Sequence, residues 1–191
     1  MLKLTGGEWR GRSIDAPGGM TTRPTQARLR QAWMNSIQFR IQDAQVLDLF
    51  SGSGALGFEA LSRGASHCHF VESERAVVAL LQKNAHKLGC EERMECWTER
   101  SEKALERMLG NGTPLTAFDL IFIDPPYAGG FELPILSLLS EGQLLNPEGL
   151  VMFEWGKQKS LPKELPEKSG VLVKIREKEY GDSILTTYQK L

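Results

Sequence analysis

Val46 through Gly57 reads Val-Leu-Asp-Leu-Phe-Ser-Gly-Ser-Gly-Ala-Leu-Gly, and it constrains the fold more than any other stretch of the chain. A short apolar run predicts a buried strand, a glycine-containing turn follows, and a helix is expected from about Ala55. Gly52, Gly54 and Gly57 satisfy G-x-G-x-x-G after a strand, a spacing that lets a ligand approach backbone amides at a helix start. Glu72 lies 20 residues beyond Gly52, directly after the candidate strand Cys68-His69-Phe70-Val71. An acidic residue there can accept both hydroxyls of an adenosine ribose. Glycines alone would fit a strand–helix turn in any α/β domain; with the acidic partner, a nucleoside-cofactor site is the better reading.

The cofactor is either a dinucleotide or S-adenosylmethionine, and two features favour the second. Asp48, inside the strand end, attracts an ammonium group and opposes a pyrophosphate. Farther on, the apolar strand Phe118-Asp119-Leu120-Ile121-Phe122-Ile123 ends in Asp124-Pro125-Pro126-Tyr127. Asp-Pro-Pro-Tyr after a fourth strand resembles the motif of methyltransferases that modify exocyclic or amide nitrogens.

A chain of 191 residues suffices for one hydrophobic core and a small appendage. Its longest apolar runs fall far short of a membrane span, and Met1-Leu2-Lys3 opens no secretory signal. Cys68, Cys90 and Cys96 form no close cluster and are read as reduced thiols of a cytoplasmic protein. His67, His69 and His86 are read as structural or exposed, and no metal is expected.

Charge is uneven along the chain. Residues 1–40 hold seven basic residues, Lys3, Arg10, Arg12, Arg23, Arg28, Arg30 and Arg40, against Glu8 and Asp15. That balance of +5 leaves −6 for the remainder, since the whole chain carries −1. The plain reading is a solvated segment. Arginines set among Gly, Pro, Thr and Trp9 also suit phosphate and base contacts, which makes an RNA-facing edge a fair expectation.

In chain order, Lys3-Leu4-Thr5 and Trp9 to Ile14 are expected to form two short strands around Gly6-Gly7. Thr25 is the expected cap of a helix running to about Gln38, with Leu29, Ala32, Trp33 and Ile37 on one apolar side and Trp33 in the core. Arg23, before Pro24, is presented in a fixed direction. Arg28 and Asn35, seven apart, share a face and either line a substrate entrance or simply meet solvent. A helix from Arg75 to Leu88 carries Ala76, Leu80, Ala85 and Leu88. Met94 to Trp97, Leu150 to Phe153, Val171 to Ile175 and Ile184 to Tyr188 are further strands, the last two an antiparallel pair. Alternating strands and helices imply an α/β, doubly wound sheet with ligands at the strand C-termini. Asp48, Glu72 and Asp124 all fall at such ends.

Gly6-Gly7-Glu8-Trp9-Arg10-Gly11-Arg12, Arg23-Pro24-Thr25, Asp48 to Gly57, Asp124 to Tyr127 and the terminal hairpin together resemble the bacterial small-subunit rRNA guanine-N2 methyltransferase family. The N-terminal pieces are the specific part. The resemblance implies a mostly parallel, seven-stranded, Rossmann-like methyltransferase sheet with a terminal antiparallel hairpin. It divides the chain into an N-terminal β-hairpin, RNA-binding extension at residues 1–24 and an S-adenosylmethionine-dependent methyltransferase domain at residues 25–191. It implies methylation of one guanine amine in 16S rRNA, within an assembled or partly assembled small subunit; a monomer that binds neither DNA nor membrane is expected. Cofactor contacts are expected from Asp48, Phe50, Ser51, Gly52, Gly54, Leu56, Gly57, Glu72, Ser73, Arg100, Ser101 and Asp124. RNA contacts are expected from Arg10, Arg12, Arg23, Thr25, Arg28 and Asn35. One departure stands out: the family usually has Asp or Asn followed by Ala after the third strand, where this chain has Arg100-Ser101.

In that reading Asp124 and the Pro125 carbonyl accept the two N–H bonds of the guanine amine, Pro126 stiffens the turn, and Tyr127 stacks on the base. The runner-up is an amino-methyltransferase acting on adenine N6 or a protein amide. A protein substrate would leave the arginines idle, and a DNA enzyme would be expected to carry a larger recognition domain. A nicotinamide oxidoreductase would need a hydride-handling residue that Asp124-Pro125-Pro126 does not offer. A silent RNA-binding module would not need Asp48, Glu72 and Asp124 together.

Overall fold

The computed structural model describes residues 1–18, 24–110, 117–126, 131–156 and 168–191. Strands β3 (Gln45–Asp48), β4 (His67–Glu72), β5 (Met94–Thr98) and β6 (Phe118–Ile123) lie parallel, joined by helices α2 (Ala55–Ser62), α3 (Arg75–Leu88) and α4 (Ser101–Leu109). Helix α5 (Glu132–Leu139) leads to β7 (Leu145–Gly156), followed by β8 (Lys168–Ser169), β9 (Leu172–Tyr180) and β10 (Ser183–Lys190). The sheet order is β5-β4-β3-β6-β7-β10-β9-β8, with β10 antiparallel to both β7 and β9. The seven-stranded Rossmann-like sheet expected from the sequence is therefore present, with the two-residue β8 added at its edge.

Both sheet faces are buried, and the alternation along each strand shows it. Val46, Cys68, Phe70, Leu120, Phe122 and Met152 pack on one side with α1 (Pro24–Ser36), α2 and α3. Leu47, Val71, Ile121, Ile123, Val151 and Phe153 pack on the other with α4 and α5. Successive strand residues point to opposite faces, so a strand covered twice reads as a continuous apolar run.

Several boundaries differ from expectation for identifiable reasons. The N-terminal pair is only β1 (Leu2–Lys3) against β2 (Ser13–Ile14), with turns between them. The extension is held by side chains instead of a long ladder. Helix α1 starts at Pro24, so Thr25 lies inside the first turn and does not cap it; proline suits a first helical position, where no N–H is needed. Strand β7 begins five residues before the expected Leu150, because Leu145 already pairs with Phe118; across Asn146-Pro147-Glu148-Gly149 the register with β6 shifts, and pairing resumes at Leu150 with Leu120. Strands β9 and β10 are longer than their apolar cores suggest. In α3 the buried positions are Val78, Leu81, Asn84, Ala85 and Leu88; Ala85 and Leu88 are as expected, whereas Ala76 is exposed and Leu80 half-buried. Among the described residues no helix is long and apolar enough to cross a membrane.

The N-terminal extension joins the main core through Leu4, Trp9 and Ile14. Its anchor is Glu59, fully buried in α2. That carboxylate accepts from the Thr5 backbone N–H at 2.9 Å and the Thr5 hydroxyl at 2.6 Å, and pairs with Arg63 at 2.9 Å and Arg30 at 3.6 Å. Ser62 donates to the Gly6 carbonyl and accepts from Trp9 N–H. Where the extension leaves this docking site, Asp15 exchanges two hydrogen bonds with Asn84 of α3, and the Asn84 amide also reaches the Ser53 carbonyl at 3.5 Å.

Candidate active site

The turn after β3 requires a left-handed backbone at Gly52, Gly54 and also Phe50, whose φ is +67°. A non-glycine residue there is strained and persists only where its surroundings enforce it. Here the reversal brings the next two amides onto the end of β4. Ser51 N–H donates to the Val71 carbonyl at 3.0 Å, and Gly52 N–H donates to a Glu72 carboxylate oxygen at 3.0 Å. The other Glu72 oxygen accepts from Glu74 N–H at 2.9 Å and from the Ser73 hydroxyl at 3.3 Å. The Ser51 hydroxyl lies 2.6 Å from the Asp48 carbonyl and 3.1 Å from that of Val71, serving one at a time.

These bonds correct the expectation that the G-x-G-x-x-G amides stand open to a ligand. Asp48 accepts from Gly57 N–H at 3.0 Å, so the protein's own carboxylate occupies the start of α2. A Cβ on Gly57 would strike the Phe70 ring and the Cys68 sulfur; one on Gly54 would strike Leu81 and Phe58. The glycines therefore serve close packing of α2 against β4 and α3. What the strand ends offer is carboxylate, which suits a ligand with ribose hydroxyls and positive charge and disfavours a pyrophosphate. The donor set fits S-adenosylmethionine.

Asp48 is buried, which pushes its carboxyl up to about 7; the Gly57 N–H opposes that shift and the Glu72 charge adds to it. Asp124 follows β6, beside β3 on one side and β7 on the other. Loss of bulk water, then the Glu154 and Asp48 carboxylates, hold Asp124 well above the ordinary carboxylate range. Asp124 is exposed by surface area yet crowded at the strand end, with the Glu154 and Asp48 carboxylates as its neighbouring charges. Glu154, buried in β7, is a site residue that sequence reasoning missed; its signal is a lone acid inside Leu150-Val151-Met152-Phe153-Glu154-Trp155.

Pro125 is buried and Pro126 exposed, while Tyr127 lies outside the described residues. Leu56 is buried in the first turn of α2. Phe50 packs its ring 5.1 Å from that of Phe131. Arg100 is exposed at the cap of α4, whereas Ser101 is buried. Of the expected RNA residues, Arg10, Arg28 and Asn35 are exposed. Arg12 is exposed too, but its guanidinium donates to the Lys87 carbonyl at the end of α3. Arg23 and the side chain of Thr25 lie outside the described residues. The basic excess is partly structural: Arg30 is buried against Glu59, and Arg40 pairs with Glu148 at 3.3 Å.

The histidines depart from expectation. His67 and His69 do have metal-ligand company, since their ring nitrogens and a Glu95 oxygen lie within 4.8 Å of one another. Glu95 is brought there by the β4–β5 register, which sequence spacing does not reveal.

The family described as Conserved hypothetical protein 95 matches residues 2–189. Ribosomal RNA small subunit methyltransferase D of Escherichia coli (strain K12) is 35% identical over 161 residues, 84% of this chain and 78% of that protein. The Haemophilus influenzae protein of the same name is 34% identical over 161 residues, 84% of this chain and 81% of its own length. The solved structure of Escherichia coli yhhF superposes with a TM-score of 0.84 at 33% identity, covering 99% of this chain and 97% of that one.

Proposed function

The chain belongs to the Conserved hypothetical protein 95 family, and from that premise we propose that it transfers a methyl group from S-adenosylmethionine to the exocyclic N2 amine of one guanine in 16S rRNA. The relatives named small-subunit rRNA methyltransferases support the RNA class. The observation that carries the chemistry is the placement of Asp124-Pro125 at the end of β6, next to Asp48 at the end of β3 and one strand farther from Glu72.

When bound, S-adenosylmethionine supplies an electrophilic methyl group on a sulfonium. Glu72 would hold the ribose hydroxyls, already oriented by Gly52 and Glu74 N–H groups. Asp48 would face the ammonium group. A guanine amine delocalises its lone pair into the ring and is a poor nucleophile in plane. Asp124 and the Pro125 carbonyl accept its two N–H bonds and turn the lone pair out of plane, a gain from orientation and fixed charge. Transfer would form an N–C bond as the methyl's S–C bond breaks and a neutral thioether leaves, and the nitrogen would shed one proton. Asp124, held above the ordinary carboxylate range by loss of bulk water and by the Glu154 and Asp48 charges, is a competent acceptor.

The experiment is to incubate the protein and labelled S-adenosylmethionine with small subunits from a strain lacking this methylation, then digest the rRNA and identify the nucleoside. N2-methylguanosine at a single site is expected. Label in N6-methyladenosine would establish the adenine reading instead, and the absence of transfer would overturn the RNA target. Asp124→Ala should lose most of the rate while keeping cofactor affinity near the parent's, because its contact is made with the nucleophile.

A further inference from the structure

We propose that His67, His69 and Glu95 form a binding site for a divalent transition ion, with Zn2+ as its natural probe, that ties edge strand β5 to β4. His67 and His69 are two apart on β4 and so project from the same face. Their rings lie 4.9 Å apart. Glu95 is the β5 residue paired with His69 in the parallel register.

One pair of donors already has the spacing of a coordination polyhedron. His69 Nδ1 lies 3.3 Å from Glu95 Oε2. Ligands about 2.0–2.1 Å from a tetrahedral zinc stand roughly 3.4 Å from one another. All three donor atoms fall within 4.8 Å of one another, so the widest gap closes by side-chain rotation of the half-exposed His67 and the exposed Glu95.

A second, independent observation points to a ligand. His69 is 7% exposed, and its Nδ1 is shielded from water without a hydrogen-bond partner, because the nearby carboxylate oxygen is out of line. A buried, unpartnered ring nitrogen is costly and rare, and an ion satisfies it. The surroundings also fix the donors. Trp97 and Phe118 set their rings 5.3 Å from His69 in edge contacts. Trp97 Nε1–H donates to Glu95 Oε1 at 2.7 Å, which leaves Oε2 facing His69. Such an outer hydrogen bond is how metal sites orient a carboxylate ligand. Two imidazoles and one carboxylate suit zinc or nickel over magnesium, and water would complete the fourth position. The site lies toward the start of β4, whereas Glu72 stands at its end, so it is separate from the methyl-transfer pocket.

Calorimetric titration of the full chain, freed of metal by chelation, tests the proposal with Zn2+ alone and with Mg2+ in parallel. One equivalent of Zn2+ is expected to bind, with Mg2+ giving no saturable heat. His67→Ala and Glu95→Gln should each weaken Zn2+ by about tenfold or more, whereas His86→Ala and Cys96→Ser should match the parent. Substituted Co2+ should show the strong visible bands of a four-coordinate ion, without the thiolate charge-transfer band that a cysteine ligand would add. Glu95 is exposed, so Glu95→Gln keeps the test meaningful even where His67→Ala lowers thermal stability in chelator. Failure to bind one equivalent of Zn2+, or binding that survives both ligand substitutions unchanged, would overturn the site.

Discussion

Asp48 concentrates the conflict between stability and function in one side chain. Its folded carboxyl titrates at about 7, whereas an unfolded aspartate titrates near 3.9. Between those values the folded state holds a proton that the unfolded state has lost, so this group's contribution to stability falls as pH rises from about 4 to about 7. Asp48→Asn keeps a carbonyl oxygen for Gly57 N–H and removes the titration. The variant should be more stable than the parent at pH 8, with a flatter stability–pH curve in chemical denaturation, while S-adenosylmethionine binds more weakly. Identical curves for variant and parent would show that Asp48 is ionised in the folded protein throughout. Glu72 is the simpler case. A charge-assisted hydrogen bond contributes roughly 1.5–3 kcal/mol, so Glu72→Ala should weaken S-adenosylmethionine binding by about tenfold or more. Calorimetry showing unchanged affinity would remove Glu72 from the site.

At the scale of elements, α2 connects the extension to the pocket. One end carries Gly57, which holds Asp48, and two residues later Glu59 holds Thr5, Arg30 and Arg63. Removing one partner of a buried ionic cluster leaves charges without compensation and costs about 3–5 kcal/mol. Glu59→Ala should lose stability on that scale in urea unfolding, and Glu59→Gln less. A loss within about 0.5 kcal/mol, as at ordinary surface positions, would show that the extension docks without it. Little of this was legible in the sequence, because a glutamate in Gly57-Phe58-Glu59-Ala60 reads as a solvent face; Arg63 is a local i,i+4 partner, but Arg30 and Thr5 lie 29 and 54 residues away. Asn84 is the same kind of case, a polar helix residue buried by long-range partners. The strand–turn–helix unit and the acids closing β3 and β4 were legible, because their spacing is local. Glu154 and the His67–His69–Glu95 grouping were not, since strand register brings each to its neighbours.

For the molecule as a whole, the question is which surface meets RNA, and the net charge of −1 gives no answer. The path of the chain motivates a test of the N-terminal arginines. Glu59 and Ser62 fasten the extension to α2, and Asp15 is then tied to Asn84, whose amide also contacts Ser53 in the turn after β3. The start of the chain is thus fastened to α2 and α3 beside the turn after β3, and Arg10 and Arg28 are exposed. Arg40 is a built-in control, because it precedes β3 at the opposite end of the strands and is paired with Glu148. For every phosphate that an arginine no longer neutralises, the slope of log affinity against log salt should shrink by about 0.9 on duplex and about 0.7 on single strands. Replacing Arg10, Arg12 and Arg23 together by Ala should therefore flatten the salt dependence of small-subunit binding by about two or more, with S-adenosylmethionine affinity unchanged. Arg12→Ala alone should also cost some stability, since its guanidinium closes the end of α3 through the Lys87 carbonyl. Arg40→Ala should leave the slope where the parent has it. A triple variant with the parent's slope would place the RNA elsewhere on the molecule, and an equal loss in Arg40→Ala would reduce the effect to overall charge.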